Sequence, residues 1–152
     1  MPIKLTTMTS VLALTACAAA ADGMAFNRIA SFETATNNAD YSAESSAEII
    51  DVTADGMTLV YTDSPLGALG LIDITDPDNP TPAGTISLPG EPTAVAVTGN
   101  VAIVGVNTSE SYTDPSGTVH SIMVADGTIT DTCDLGGQPD SVAVAPDGSF
   151  AA

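Results

Sequence analysis

The sequence predicts an all-β fold: a partial β-propeller of about two four-stranded blades plus the start of a third, preceded by a signal segment. Three observations predict it. Apolar residues make up 44% of the 152-residue chain, and 13 Gly and 10 Pro interrupt it, which is typical of many short strands joined by tight turns. A stretch of alternating apolar residues that leads into a turn recurs about every 46 residues. Each copy has room for four strands, as in a propeller blade.

The repeat is easiest to see around Val52, Val97 and Val144. Each of these valines lies in an alternating apolar strand that leads into a turn dipeptide. The dipeptides are Asp55-Gly56, Gly99-Asn100 and Asp147-Gly148. All three tolerate the positive φ that hairpin turns require. A β-sandwich would show strands at a similar spacing but would not repeat one four-strand pattern, so the repeat favours a propeller.

Eight strands are expected before the third copy begins. In the first repeat they cover residues 49–53, 58–62, 70–74 and 84–88. In the second they cover residues 94–98, 101–106, 118–124 and 128–135. Propellers close with about four to eight blades. We therefore expect residues 45–152 to be an incomplete propeller, the N-terminal part of a longer ring.

Residues 1–23 are predicted to be a signal peptide. Lys4 precedes an apolar, hydroxyl-rich run that ends in small residues, the secretory pattern, and the run is too short for a comfortable transmembrane helix. Residues 14–17 resemble a bacterial lipobox, which predicts lipidation at Cys17; cleavage within residues 18–21 is the alternative. The protein is thus expected to be exported, as a periplasmic protein, a cell-surface lipoprotein or a secreted protein.

Residues 24–44 are interpreted as an N-terminal strand and linker. Within them, residues 26–34 could supply an outer strand to the last blade of a closed ring.

The charge balance excludes one class of partner. The chain has nineteen Asp and Glu residues but only two basic residues, which gives a formal net charge of −17. Such a surface repels nucleic acid and anionic lipid headgroups. No nucleic-acid partner is expected, and membrane contact is expected only through a lipid anchor. The excess charge suits either solubility in salt or the binding of cations.

One long loop offers the best candidates for ligand or metal contacts. In a propeller, the loops between second and third strands share a face with the connections between blades. Residues 107–117 would therefore lie beside residues 64–67, 89–92 and 136–139. Within the long loop, the candidates are Glu110, Tyr112 and Asp114. No catalytic residue is identified.

The acidic turn at residues 73–80 raises a calcium hypothesis through Asp76 and Asp78, because hard cations bind several oxygen ligands. The turn lacks the central glycine and distal glutamate of an EF-hand loop. The favoured interpretation of the turn is a local one, in which the Asp side chains accept hydrogen bonds from nearby backbone amides.

His120 and Cys133 are interpreted as ordinary strand residues, too few to form a zinc site. No cofactor other than calcium is suggested.

A family resemblance appears in the same repeats. Gly70-Leu71-Ile72-Asp73-Ile74 with the acidic turn and Gly84-Thr85-Ile86 looks like the LVIVD-type repeat of bacterial surface propellers. Residues 92–97 and 139–148 resemble the choice-of-anchor propellers and the esterase-like phytase-family propellers. The resemblance spans roughly residues 45–152.

The resemblance implies a compartment more than an activity. It suggests an exported surface or periplasmic module, non-enzymatic in this fragment, that presents a loop face to a cell-envelope protein or glycan. The alternative is a calcium-assisted, phytase-like phosphoesterase in which calcium bridges acidic loops to a small anionic substrate.

Overall fold

The computed structural model describes residues 26–152. The predicted signal peptide and the predicted lipidation at Cys17 lie outside the described residues. Among the described residues, no helix has the length and apolar character that crossing a bilayer requires.

Two four-stranded antiparallel sheets follow one another along the chain, each with its strands in sequence order. Sheet 1 comprises β1 (Ala47–Val52), β2 (Thr58–Asp63), β3 (Ala68–Asp73) and β4 (Thr81–Ser87). Sheet 2 comprises β5 (Glu91–Thr98), β6 (Val101–Asn107), β7 (Gly117–Met123) and β8 (Ile129–Leu135). All eight predicted strands are present, which confirms the all-β, blade-like architecture.

Glycines close the tight turns between strands. Gly56, Gly99 and Gly127 have φ of 71°, 60° and 71°, values that only glycine adopts without steric cost. The third copy of the repeat forms the start of another hairpin: Val144 bridges Ala151 around a turn at Gly148. The chain therefore folds as two blades and the beginning of a third.

The core lies between the two sheets. Val60 and Leu69 of sheet 1 pack with Val104 and Ile122 of sheet 2, and all four side chains are fully buried. Alternate residues of a strand point to opposite faces, so each sheet uses one face for this contact and turns the other face away. The sheets stack as neighbouring propeller blades do.

Side-chain hydroxyls of one repeat also donate hydrogen bonds to backbone carbonyls at the start of the next repeat. Ser64 Oγ donates to the carbonyl of Pro92 at 2.8 Å. Thr93 Oγ1 donates to the carbonyl of Pro139, the equivalent proline of the next copy, at 2.5 Å. Each new repeat is thus bonded at its entry to the repeat before it.

Residues 26–34 are expected to supply an outer strand to the last blade of a closed ring, and this stays a prediction. Residues 26–33 pair with no strand of the described chain, and a 3-10 helix at Thr34–Asn37 follows them. This part of the chain covers the face of sheet 1 that points away from sheet 2, through contacts made by Asn37.

Candidate functional site

Four connecting segments meet at one end of the sheets, here called the loop end: residues 64–67, 88–90, 107–117 and 136–139. The Leu88 amide donates to the Gly67 carbonyl at 2.9 Å. A Cβ on Gly117 would overlap Pro139. The loop between β6 and β7 is therefore packed against the chain that leaves β8, as the propeller interpretation predicts.

Hydrogen bonds join the two ends of the long loop between β6 and β7. Ser109 Oγ donates to the Ser116 carbonyl at 3.0 Å and accepts from the Ser116 amide at 2.9 Å. Asn107 Oδ1 accepts from the Ser109 amide at 3.0 Å, and Asn107 Nδ2 donates to Glu91 at 3.2 Å. These bonds fix where the loop leaves the sheet. Residues 110–115, at the tip of the loop, are all exposed.

A cleft of about 300 Å³ lies between the loop and the chain after β8. The residues that line it are Asn107, Ser109, Glu110, Ser111, Tyr112, Pro115 and Gln138. Two of the three predicted loop residues, Glu110 and Tyr112, therefore lie at one cleft. The third, Asp114, does not line it: its amide donates to the Ser111 carbonyl at 3.2 Å and closes the tight turn at the loop tip.

The cleft combines an aromatic surface with free polar groups. The Tyr112 side chain is fully exposed, so its ring and hydroxyl are both accessible to a ligand. Glu110 and Gln138 make no side-chain hydrogen bond to the described residues, so a carboxylate and an amide are available to a ligand. Gln138 is not among the residues predicted from the sequence, although its position after Gly136-Gly137, in a segment expected at this face, could have indicated it.

The acidic turn lies at the opposite end of the sheets, between β3 and β4. Asp76 Oδ1 accepts from the Asp78 amide at 3.2 Å. Asp73 accepts from the amide and hydroxyl of Thr75, and these bonds lower its pKa. The carboxylates of Asp73 and Asp76 thus hold local backbone, as the turn interpretation predicts.

Geometry in the described part of the chain does not favour a calcium site. Over residues 26–152, no three or more His, Cys, Asp and Glu side chains are grouped closely enough to hold a metal ion. The turn with Asp76 and Asp78 is also remote from the loop with Glu110. No observation on these residues favours the phosphoesterase alternative, which stays a prediction.

His120 lies inside the structure and Cys133 on its surface. The His120 ring is bonded on both nitrogens, to Thr118 Oγ1 and to Thr132 Oγ1, each at 2.9 Å. Burial lowers its pKa, so the ring is neutral at pH 7. Cys133 is a free, exposed thiol on β8. Neither residue lies at the cleft.

Comparisons with known proteins identify a family and a fold. The sequence model of the Choice-of-anchor I domain family matches residues 48–151. No curated protein matches the chain. Among solved structures, Kuenenia stuttgartiensis hydrazine synthase is similar with a TM-score of 0.54 and 22% sequence identity, over 69% of this chain and 28% of that one. At that identity the likeness concerns the fold alone, and the present chain spans less than a third of that protein chain.

Proposed function

Because the chain belongs to the Choice-of-anchor I domain family, we propose that it is an exported, surface-associated propeller module that binds a partner at its loop end and is non-enzymatic in this fragment. The predicted signal peptide would direct the export of the chain. Lipidation at Cys17 would add an anchor, which is stable only when more than one lipid chain is attached. The assignment of residues 70–86 to an LVIVD-type repeat belongs to this proposal and rests on resemblance.

The observation that carries the proposal is the cleft beside the fully exposed Tyr112. Binding sites are concave and combine apolar surface with a few polar groups that fix orientation. Here the Tyr112 ring provides the apolar surface. Glu110 and Gln138 provide an acceptor and an amide that no protein group occupies.

Of the two partners expected for a non-enzymatic module, a glycan suits this cleft better than a protein. A volume of about 300 Å³ is at the small end of ligand sites, whereas a stable protein interface needs about 800 Å² on each partner. A sugar ring can place its C–H face on Tyr112 and its hydroxyls on Glu110 and Gln138. A chain with a net charge of −17 repels acidic saccharides, so the ligand would be a neutral or amino sugar of the cell envelope.

An array of neutral, amino-substituted and acidic glycans tests this proposal. The full chain should bind neutral or amino glycans, and Tyr112→Ala should weaken that binding at least tenfold. Glu110→Gln should weaken it less, since the amide keeps one acceptor. The matched control is Tyr41→Ala, because Tyr41 is another exposed tyrosine but lies outside the cleft.

Two results would contradict the proposal. Unchanged binding in Tyr112→Ala would remove the cleft as the site. Absence of glycan binding, together with Tyr112-dependent capture of a purified cell-envelope protein, would show that the partner is a protein.

A further inference from the structure

The cleft at the loop end carries a negative charge and no basic side chain. Among its lining residues, Glu110 is the charged one. Arg28 is the one Lys or Arg in residues 26–152. The residue after it, Ile29, lies beside Pro77 and Pro80 of the acidic turn, at the opposite end of the sheets. Within the described part of the chain, no basic side chain is therefore placed to neutralise Glu110.

Three carboxylates lie on or beside the long loop, and they differ in what they contact. Glu91 accepts a hydrogen bond from Asn107 Nδ2 at 3.2 Å. Asp114 does not line the cleft. Glu110 lines the cleft and makes no side-chain hydrogen bond to the described residues. Its carboxylate is thus the acidic group that a ligand in the cleft can reach.

The other contact groups of the cleft also favour a cation. Gln138 offers an amide oxygen, and the Tyr112 ring offers an exposed aromatic face. An ammonium group donates hydrogen bonds to carboxylate and amide oxygens and is attracted to the face of an aromatic ring. The acetamido group of an acetylated amino sugar is uncharged, so it gains neither the ionic attraction of Glu110 nor the cation–π attraction of Tyr112.

We propose that the cleft selects saccharides with a free amino group, which is positively charged at neutral pH, over the same saccharides with the amine acetylated, and that Glu110 determines this preference. The inference rests on the glycan binding proposed above and specifies the class of sugar. The net charge of −17 acts in the same direction, because it attracts a cationic ligand.

Two tetrasaccharides of the same linkage test the inference, one of glucosamine and one of N-acetylglucosamine. Isothermal titration calorimetry measures the binding of each to the full chain at low salt. Because exposed ion pairs and cation–π contacts are individually weak, we expect the glucosamine tetrasaccharide to bind about fivefold more tightly. Since salt screens exposed charges, this ratio should fall towards one when NaCl is raised to about 0.5 M.

Glu110→Gln removes the charge of the side chain and keeps an acceptor. It should weaken the binding of the glucosamine tetrasaccharide about threefold and leave the binding of the acetylated one unchanged. Asp114→Asn is the matched control, because it makes the same change in net charge on the same loop but outside the cleft, and it should keep the preference of the unchanged chain. Both residues are exposed, so the fold should tolerate both substitutions.

The possible failures can be told apart. Equal binding of the two tetrasaccharides by the unchanged chain would overturn the inference and leave glycan binding intact. A preference that Glu110→Gln and Asp114→Asn reduce equally would assign it to the overall charge of the chain, which also overturns the inference. If neither tetrasaccharide binds, the inference is wrong, and the glycan array decides separately whether the proposed function stands.

Discussion

The ring of Tyr61 lies directly over Gly70 on the neighbouring strand: a Cβ at Gly70 would overlap the ring atoms and the hydroxyl of Tyr61. Glycine is required here for space, since its φ is not positive. The absence of a side chain on β3 lets the Tyr61 hydroxyl reach Asn37 at 3.1 Å. Burial raises the pKa of Tyr61, so the phenol stays protonated at pH 7.

Gly70→Ala should therefore destabilise the fold. Because the Tyr61 ring is fully buried, we expect a loss of about 1–3 kcal/mol in the free energy of unfolding, the range for overpacked cores. Urea denaturation followed by circular dichroism measures it. Gly136→Ala is the control, as no atom lies near a Cβ at that position. Equal effects of the two substitutions would contradict the packing argument.

A second prediction concerns the carboxylate that joins the two sheets. Asp51 Oδ2 accepts from the Val97 amide at 2.7 Å, and Asp51 Oδ1 accepts from the Val52 amide at 2.8 Å. Asp51→Ala leaves the Val97 amide without this acceptor. Since a hydrogen bond to a charged group contributes about 1.5–3 kcal/mol and Asp51 is half-buried, we expect a cost of about 1–2 kcal/mol in urea denaturation.

Asp131 provides the matched control for Asp51. Its carboxylate accepts from the amide of the next residue, Thr132, at 2.9 Å, as Asp51 does with Val52. Asp131 has no bond to the other sheet. Asp131→Ala should thus cost less than half as much; a similar loss would show that the bond to Val97 contributes little.

The sequence predicts the strands and turns well because their signals are local. Alternating apolar residues indicate each strand, and glycines such as Gly56 and Gly99 stand where φ is positive. The loop end follows from the same pattern, since strand order alone places the β6–β7 loop beside the chain after β8. Two of the three predicted loop residues, Glu110 and Tyr112, accordingly line the cleft.

What the sequence does not reveal depends on contacts between distant residues. Asn37 lies 34 residues from Leu71 and 47 from Gly84, and its role requires an irregular register that no local pattern shows. Asp114 is a predicted contact residue like Glu110, but it does not line the cleft, and its backbone amide closes the loop tip. Side-chain direction within an irregular loop has no periodicity from which it could be predicted.

A third prediction concerns pH and His120. Burial lowers the pKa of His120 below its ordinary 6.5, so the unfolded chain binds a proton at this group more readily than the folded chain. Stability should consequently be full above pH 6.5 and fall as the pH drops from 6.5 towards the folded pKa. Urea midpoints measured from pH 8 to pH 5 would show this fall.

His120→Gln removes the titrating group while keeping polar atoms near Thr118 and Thr132. The variant should lose the slope between pH 6.5 and 5. The decline at lower pH should remain, because the pKa values of Asp55, Asp73 and Asp126 are lowered by hydrogen bonds in the fold and their stabilisation is lost on protonation. A slope that survives the substitution would assign the effect to other groups.

The last prediction follows from the charge. With a net charge of −17, repulsion among carboxylates opposes the compact state and is screened by salt, since the Debye length falls from about 30 Å at 0.01 M to about 3 Å at 1 M. The melting temperature should rise steadily over this range of NaCl, and sucrose of equal osmolarity should not reproduce the dependence at low concentration.

Because residues 26–152 contain no group of three or more His, Cys, Asp or Glu side chains placed to hold a metal ion, CaCl₂ and MgCl₂ at equal ionic strength should raise the melting temperature by the same amount. A larger rise with millimolar calcium than with magnesium would contradict this prediction and restore the calcium hypothesis for Asp76 and Asp78.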